Sequence, residues 1–317
     1  MRGRKSPRPA RQPRMDDVEK VTKSPILDDD TVTVSQVGLL EAPPSPPRRG
    51  CVQRIVGAVP DFVTKASWLE TIPVALRRGP PSPAVFAFIA LAVAALAATG
   101  AAAASSFASS AEFPRDPAWL VAWRGVFGAI GAAILAACVA YSPWVFVTFT
   151  MQSFAWLTLR LLLAAIASAS PTAGALAPAR AIAATIRFPA LAQTTLTVVL
   201  WWLVLTPLIT YQLRGTPGAA DFRRFNFSPF LLTVHLFNLP VAAVEFVASD
   251  VSLRPFDLWI SLVFALVYLC FYLYVLDRND VHLYIILTPR TAACFLVYSL
   301  IIGLFVAAYC GWNAALS

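Results

Sequence analysis

Phe230-Leu-Leu-Thr-Val-His235-Leu-Phe-Asn-Leu-Pro240-Val-Ala-Ala-Val-Glu245 is apolar enough to cross a bilayer, yet it carries a histidine, an asparagine and a glutamate. Ionisable groups inside lipid cost several kcal/mol and face a cavity or a partner, which makes each one a functional candidate. His235 and Asn238 are three residues apart and share a helical face. Glu245 lies ten residues beyond His235, roughly 15 Å further along a helix. The polar residues therefore divide into two depths, with His235 and Asn238 at one and Glu245 at the other.

The rest of the chain agrees with a membrane setting. Its 317 residues are 58% hydrophobic and 13% charged, against about 25% charged in ordinary soluble domains. The mean hydropathy of +0.67 points the same way. Net charge is +8, but residues 1–83 hold 14 of the 25 Lys and Arg, and no lysine follows Lys65. The excess charge belongs to the tail and loops and is no nucleic-acid footprint. Five cysteines (Cys51, Cys138, Cys270, Cys294, Cys310) have no paired spacing. Four lie in apolar runs and read as small buried hydrophobes. Two histidines with no nearby carboxylate cluster make no metal site, and no motif implies a cofactor.

Taken in order, residues 1–50 form a Pro- and Arg-rich tail that buries too little apolar surface to order itself. Within it, Pro43-Pro-Ser-Pro-Pro-Arg48 fits a polyproline-II ligand for a protein partner. Residues 51–78 mix apolar and charged side chains as an amphipathic helix in the membrane interface does. Seven apolar runs follow within 84–312, each near the 20 residues a span needs: Ala84–Phe107, Trp119–Tyr141, Trp144–Ser168, Ile186–Gln212, Pro229–Ala248, Phe256–Leu276 and Thr291–Trp312. The expected fold is all-α, a polytopic transmembrane helix bundle behind a disordered N-terminal tail. Trp144, Trp201, Trp202, Tyr211, Trp259, Tyr284 and Trp312 fall near run ends, as an interfacial aromatic belt requires. The basic tail puts the N-terminus in the cytoplasm, by the positive-inside rule. The protein is expected to be integral to the plasma membrane or an endomembrane.

His235 needs a partner, and the third run offers one. Thr148 is about five residues into it and His235 about six into the fifth, and alternating spans start both helices at one face. The two side chains then lie at matched depth, roughly 7 to 9 Å into their helices. The ordinary reading of a span threonine is a bond to its own i−4 carbonyl, and of a span histidine a helix-to-helix hydrogen bond.

A resemblance adds to this. The pattern Trp144-x-Phe146-x-Thr148-Phe149, followed by His235-x4-Pro240-x4-Glu245, resembles the androgen-induced gene product family, which includes the androgen-dependent tissue-factor-pathway-inhibitor regulating proteins. The likeness covers Trp119 to Trp312, six of the spans. It implies a multi-span hydrolase of fatty acid esters of hydroxy fatty acids, with Thr148 as nucleophile and His235 as catalytic histidine. Val281-His282-Leu283-Tyr284-Ile285-Ile286-Leu287 is similar to the family's Tyr-Pro-Phe-Leu segment, with Ile285 and Ile286 in place of Pro and Phe.

The chemistry stands without the family. A threonine hydroxyl is a weak nucleophile that needs a base within reach, and imidazole is such a base near neutral pH. The substrate would be a bilayer lipid reaching the site sideways. Asn238, one turn from His235, and Gln152, one turn from Thr148, are candidates to orient the imidazole or bind an oxyanion. Pro240 kinks its span and frees a carbonyl. Glu245 is structural, with Arg254 or Arg187 as its expected partner. His282 reads as a solvated or interfacial histidine. Three other readings remain: an acyltransferase using the same acyl-enzyme, a transporter with His235 and Glu245 as proton relays, and a non-catalytic scaffold.

Overall fold

The computed structural model describes residues 76, 79–108, 116–169, 176–216, 218–249, 251–279 and 281–316. The expected tail at 1–50, and all of the expected interfacial segment at 51–78 except Leu76, lie outside the described residues. The described chain is all-α, with seven helices long and apolar enough to cross a membrane. These are α1 (Pro83–Ala108), α2 (Ala118–Tyr141), α3 (Phe149–Ala169) and α4 (Ala177–Gln212). After a short surface helix, α5 (Gly218–Asn226), come α6 (Pro229–Ala248), α7 (Pro255–Asn279) and α8 (Ala293–Leu316). The protein is an integral membrane helix bundle.

At its centre stands α4, which touches α3, α6, α7 and α8. Its buried run Phe188, Ala190, Leu191 and Ala192 meets Leu157 and Leu161 of α3, Phe246 of α6 and Phe305 of α8. Small residues let the outer helices approach closely, the usual device where lipid leaves no hydrophobic driving force between helices. On α2, a Cβ at Gly128 would lie 2.9 Å from Leu162 Cδ2, and one at Gly131 would overlap the Thr158 hydroxyl. The alanine-rich α1 lies against α7, where Trp259 Nε1 donates to Leu96 O at 2.9 Å and covers Gly100.

Two boundaries differ from the sequence reading. The fourth helix starts at Ala177, nine residues before Ile186. Its opening, Ala177-Pro-Ala-Arg180, has a proline at the first turn, where the missing N–H costs nothing. The Arg180 guanidinium there donates to Ala167 O at the end of α3. The third helix starts later than Trp144, because Pro143–Val147 forms a 3-10 turn and α3 begins at Phe149. Thr148 is thus the residue before the helix, outside its first turn, and loses the depth that the sequence assigned to it. Of the four described cysteines, Cys138 and Cys294 are buried as expected, but Cys310 is exposed on the outer face of α8.

Candidate active site

Among the described residues three π-helical segments interrupt the helices: Leu200–Leu205 in α4, Thr233–Phe237 in α6 and Tyr272–Leu276 in α7. Such wide turns leave backbone carbonyls without their regular partners and occur often at functional sites. Two are followed by proline, Pro207 and Pro240, which has no N–H to return to the preceding turn. In α6 two carbonyls of the widened segment accept from side chains. Trp202 Nε1 donates to His235 O at 3.0 Å, and Asn238 Nδ2 donates to Val234 O at 2.8 Å. A widened segment with His235 at its middle thus lies just before Pro240.

The hydroxyl that meets His235 is Thr150. Its Oγ1 lies 3.1 Å from His235 Nε2, and both side chains are buried. The direction of this bond follows from its neighbour. His235 Nδ1 lies 3.3 Å from Leu231 O, and a carbonyl only accepts, so Nδ1 carries the proton. Nε2 of the neutral ring is then an acceptor and the Thr150 hydroxyl donates to it. The imidazole is held on its face by Trp201, with ring centroids 4.1 Å apart. Trp201 is anchored in turn by its Nε1 bond to Asn226 Oδ1 at 2.7 Å.

Thr150 also lines a partly open cavity of about 90 Å³. Its walls come from α1, α3, α4, α7, α8 and the α7–α8 connection, and they are almost wholly apolar: Phe88, Leu196, Leu269, Ile301 and Phe305 are typical. Tyr284, from that connection, brings a phenol to the same wall, where its Oη accepts the Phe149 amide proton at 3.1 Å. Burial pushes the Tyr284 phenol above its ordinary range, the Phe149 amide pulling the other way, so it stays protonated. An apolar cavity with a phenol and the His235-bonded Thr150 hydroxyl on its wall suits a hydrocarbon substrate bearing one polar, reactive group.

The sequence-derived candidates separate. Thr148 caps α3: Met151 N donates to its Oγ1 at 3.2 Å, and its hydroxyl donates to Val145 O at 2.9 Å. Gln152 Nε2 donates to Phe146 O at 3.2 Å and secures the same turn. Asn238 Nδ2 is committed to Val234 O, so the orienter of the imidazole is Leu231 O. Of the six candidates, His235 alone belongs to the Thr150 pair.

Glu245 does lie at another depth, but its partners are not Arg254 or Arg187. Its Oε1 accepts from Arg160 Nη2 at 2.7 Å and from Arg124 Nε at 3.2 Å. Arg124 extends the network to Asp116 at 2.6 Å and Ser249 at 2.8 Å, tying α2, α3 and α6 together. Arg254 instead pairs with Asp257 three residues on, and Arg187 donates to Val251 O. The reason is lateral placement, which spacing along one helix does not report. His282 is likewise paired, its Nδ1 lying 3.3 Å from Asp277 Oδ1.

Thr150, Trp201, Trp202 and Tyr284 were missed as site residues. The position of Trp201, Trp202 and Tyr284 near run ends points to an aromatic belt, but the Trp201 ring and the Trp202 indole face His235, and the Tyr284 phenol lines the cavity. Thr150 had a signal, being the next hydroxyl after Thr148 on the same stretch. Among the described residues no group of three His, Cys, Asp or Glu side chains comes together. Comparison of the chain with protein-family models, with curated proteins and with solved structures finds no match.

Proposed function

We propose that the protein is a membrane-embedded hydrolase of lipid esters in which His235 activates the Thr150 hydroxyl. The observation that carries this reading is the hydrogen bond to His235 of Thr150, whose side chain lies on the wall of an apolar cavity. The resemblance described above supports the reaction type and a fatty acid ester of a hydroxy fatty acid as substrate, while the hydrogen bonding favours Thr150 over Thr148 as nucleophile.

The steps follow from the protonation states. The Thr150 oxygen attacks the ester carbonyl carbon as its proton passes to His235 Nε2, and the carbonyl electron pair moves onto oxygen. Collapse of that oxyanion expels the alkoxide, which takes the proton from Nε2 and leaves as the hydroxy acid. Water then attacks the acyl-threonine with Nε2 as base. The second collapse returns the proton to Thr150 and frees the fatty acid. The Leu231 carbonyl stabilises the imidazolium formed in each half, since both ring nitrogens then donate.

The test is labelling of the detergent-purified protein by a fluorophosphonate, together with hydrolysis of a long-chain ester. Thr150→Ala and His235→Ala are each expected to lower both by at least about 100-fold, the usual worth of a general base, while Thr148→Ala retains them. Labelling that survives both Thr150→Ala and His235→Ala would sink the proposal. Loss on Thr148→Ala with retention on Thr150→Ala would return the nucleophile to Thr148.

A further inference from the structure

We infer that Tyr284 is the hydrogen-bond donor that stabilises the oxyanion formed at Thr150, an assignment that rests on the ester-hydrolase reading above. Acyl transfer generates a negative oxygen about one bond length from the attacked carbon, and a donor must already stand beside the nucleophile to receive it. The sequence offered Asn238 and Gln152 for this task, but both amides already donate to backbone carbonyls, Val234 O and Phe146 O. Tyr268, also on the cavity wall, donates its proton to Val147 O at 3.1 Å. Tyr284 differs. Its Oη accepts from the Phe149 N–H, it donates to no backbone carbonyl, and it stands in hydrogen-bond contact with the Thr150 side chain, beside the nucleophile.

The phenol is also fixed in advance. Tyr284 N donates to Tyr272 Oη at 3.2 Å, and Tyr272 Oη donates to Tyr284 O at 3.1 Å. Leu287 N donates to the same carbonyl at 3.0 Å. The ends of this connection are joined by the ion pair of Asp277 with Arg290. A donor held this way needs no reorganisation when charge develops, which is where most of the benefit of an oxyanion site arises. The amide bond into Oη polarises the phenol and strengthens the bond it donates. In the first step, as the Thr150 oxygen bonds to carbon and its proton moves to His235, the carbonyl oxygen gains the π pair and accepts the Tyr284 O–H. The phenol keeps its proton throughout and releases the oxygen when the carbonyl re-forms.

The experiment compares wild type, Thr150→Ala and Tyr284→Phe in detergent, using a long-chain p-nitrophenyl ester and measuring kcat, KM and thermal midpoint. Tyr284→Phe keeps the ring and its packing. Its kcat is expected to fall about 100- to 1,000-fold, the range for loss of one oxyanion donor, with KM within about threefold of wild type and the midpoint unchanged. If Tyr284→Phe hydrolyses within about threefold of wild type while Thr150→Ala is inactive, the Tyr284 assignment is overturned and the Thr–His reading stands. If wild type is no faster than Thr150→Ala, both are overturned. Should Tyr284→Phe unfold, difluorotyrosine at position 284 decides the matter. A more acidic phenol must move the alkaline limb of kcat to lower pH, because a phenolate cannot donate, and an unmoved limb refutes the assignment.

Discussion

Removing the Glu245 carboxylate leaves the Arg160 guanidinium as a buried charge with no counter-ion, and the structure sets the size of the effect. Arg124 keeps Asp116 at 2.6 Å and Ser249 at 2.8 Å when Glu245 is lost. Arg160 has no such reserve: its Nη2 bond to Glu245 is its one ion pair among the described residues, and its Nε is already buried without a partner. Breaking one side of a buried pair costs about 3–5 kcal/mol. At about 2–4 °C per kcal/mol for a domain of this size, Glu245→Ala should lower the thermal midpoint by roughly 6–20 °C. The measurement is a thermal melt in detergent followed by tryptophan fluorescence, run as a cycle with Arg160→Leu and the double variant. With Arg160 also removed no unpaired charge remains at that position, so the double variant should be more stable than the sum of the singles predicts, by about 1–3 kcal/mol. The proposed ester hydrolysis should persist at low temperature in all three, since the network lies roughly 15 Å along α3 and α6 from Thr150 and His235. Additive singles, or a Glu245→Ala midpoint within about 2 °C of wild type, would refute the view that this network is what joins α2, α3 and α6.

Thr148→Ala should cost about 0.5–2 kcal/mol in the same melts, the loss of a helix N-cap, and Thr148→Ser should restore it, because the capping oxygen remains. Gly131→Ala should destabilise by about 1–3 kcal/mol through overpacking: Thr158 is fixed by its own bond to Phe154 O and cannot yield. Asp116 adds a pH dependence. Burial raises its carboxyl, but the hydrogen bonds from Arg124 and Ser168 outweigh it and hold the group below its ordinary value of 3.8. A depressed folded value stabilises the protein above pH 3.8 and is lost as pH falls through the folded value. Between pH 6 and pH 3 the wild-type midpoint should therefore drop further than that of Asp116→Asn, and parallel curves would contradict this.

Most of the bundle was legible because hydropathy and length decide whether a helix crosses a membrane, and five of the seven runs begin and end within a few residues of their helices. The exceptions have one cause. Near Trp144 and Ile186 the composition stays apolar across a change of backbone, so hydropathy does not see where the helix starts. Counting α3 from Trp144 put Thr148 in the membrane opposite His235, whereas the Pro143–Val147 turn makes Thr148 a cap and hands the inward position to Thr150. Pro143 was the available signal, since a proline holds the residue before it, here Ser142, in extended backbone and breaks the helix there.

Lateral neighbours were the harder loss, and the prolines again show why some were recoverable. A span proline deprives a carbonyl one turn back of its partner, and in lipid that carbonyl must find another donor. For Pro240 that donor is the Trp202 indole, which bonds His235 O. The indole comes from the π-helical segment of α4 that itself precedes Pro207. Two membrane spans, each with a proline and each widened just before it, are thus complementary: one has carbonyls to satisfy and the other presents indole N–H and a flat ring at the same depth. The Trp201–Trp202 pair is better read as the answer to Pro240 than as an interfacial belt. On this argument Trp202→Phe, which keeps the ring but leaves His235 O without its donor, should reduce catalysis through the position of the imidazole. The expected signature is a lower kcat at unchanged KM, with the fluorophosphonate labelling rate falling in step. An unchanged labelling rate would show that the widened turn holds His235 in place without the indole.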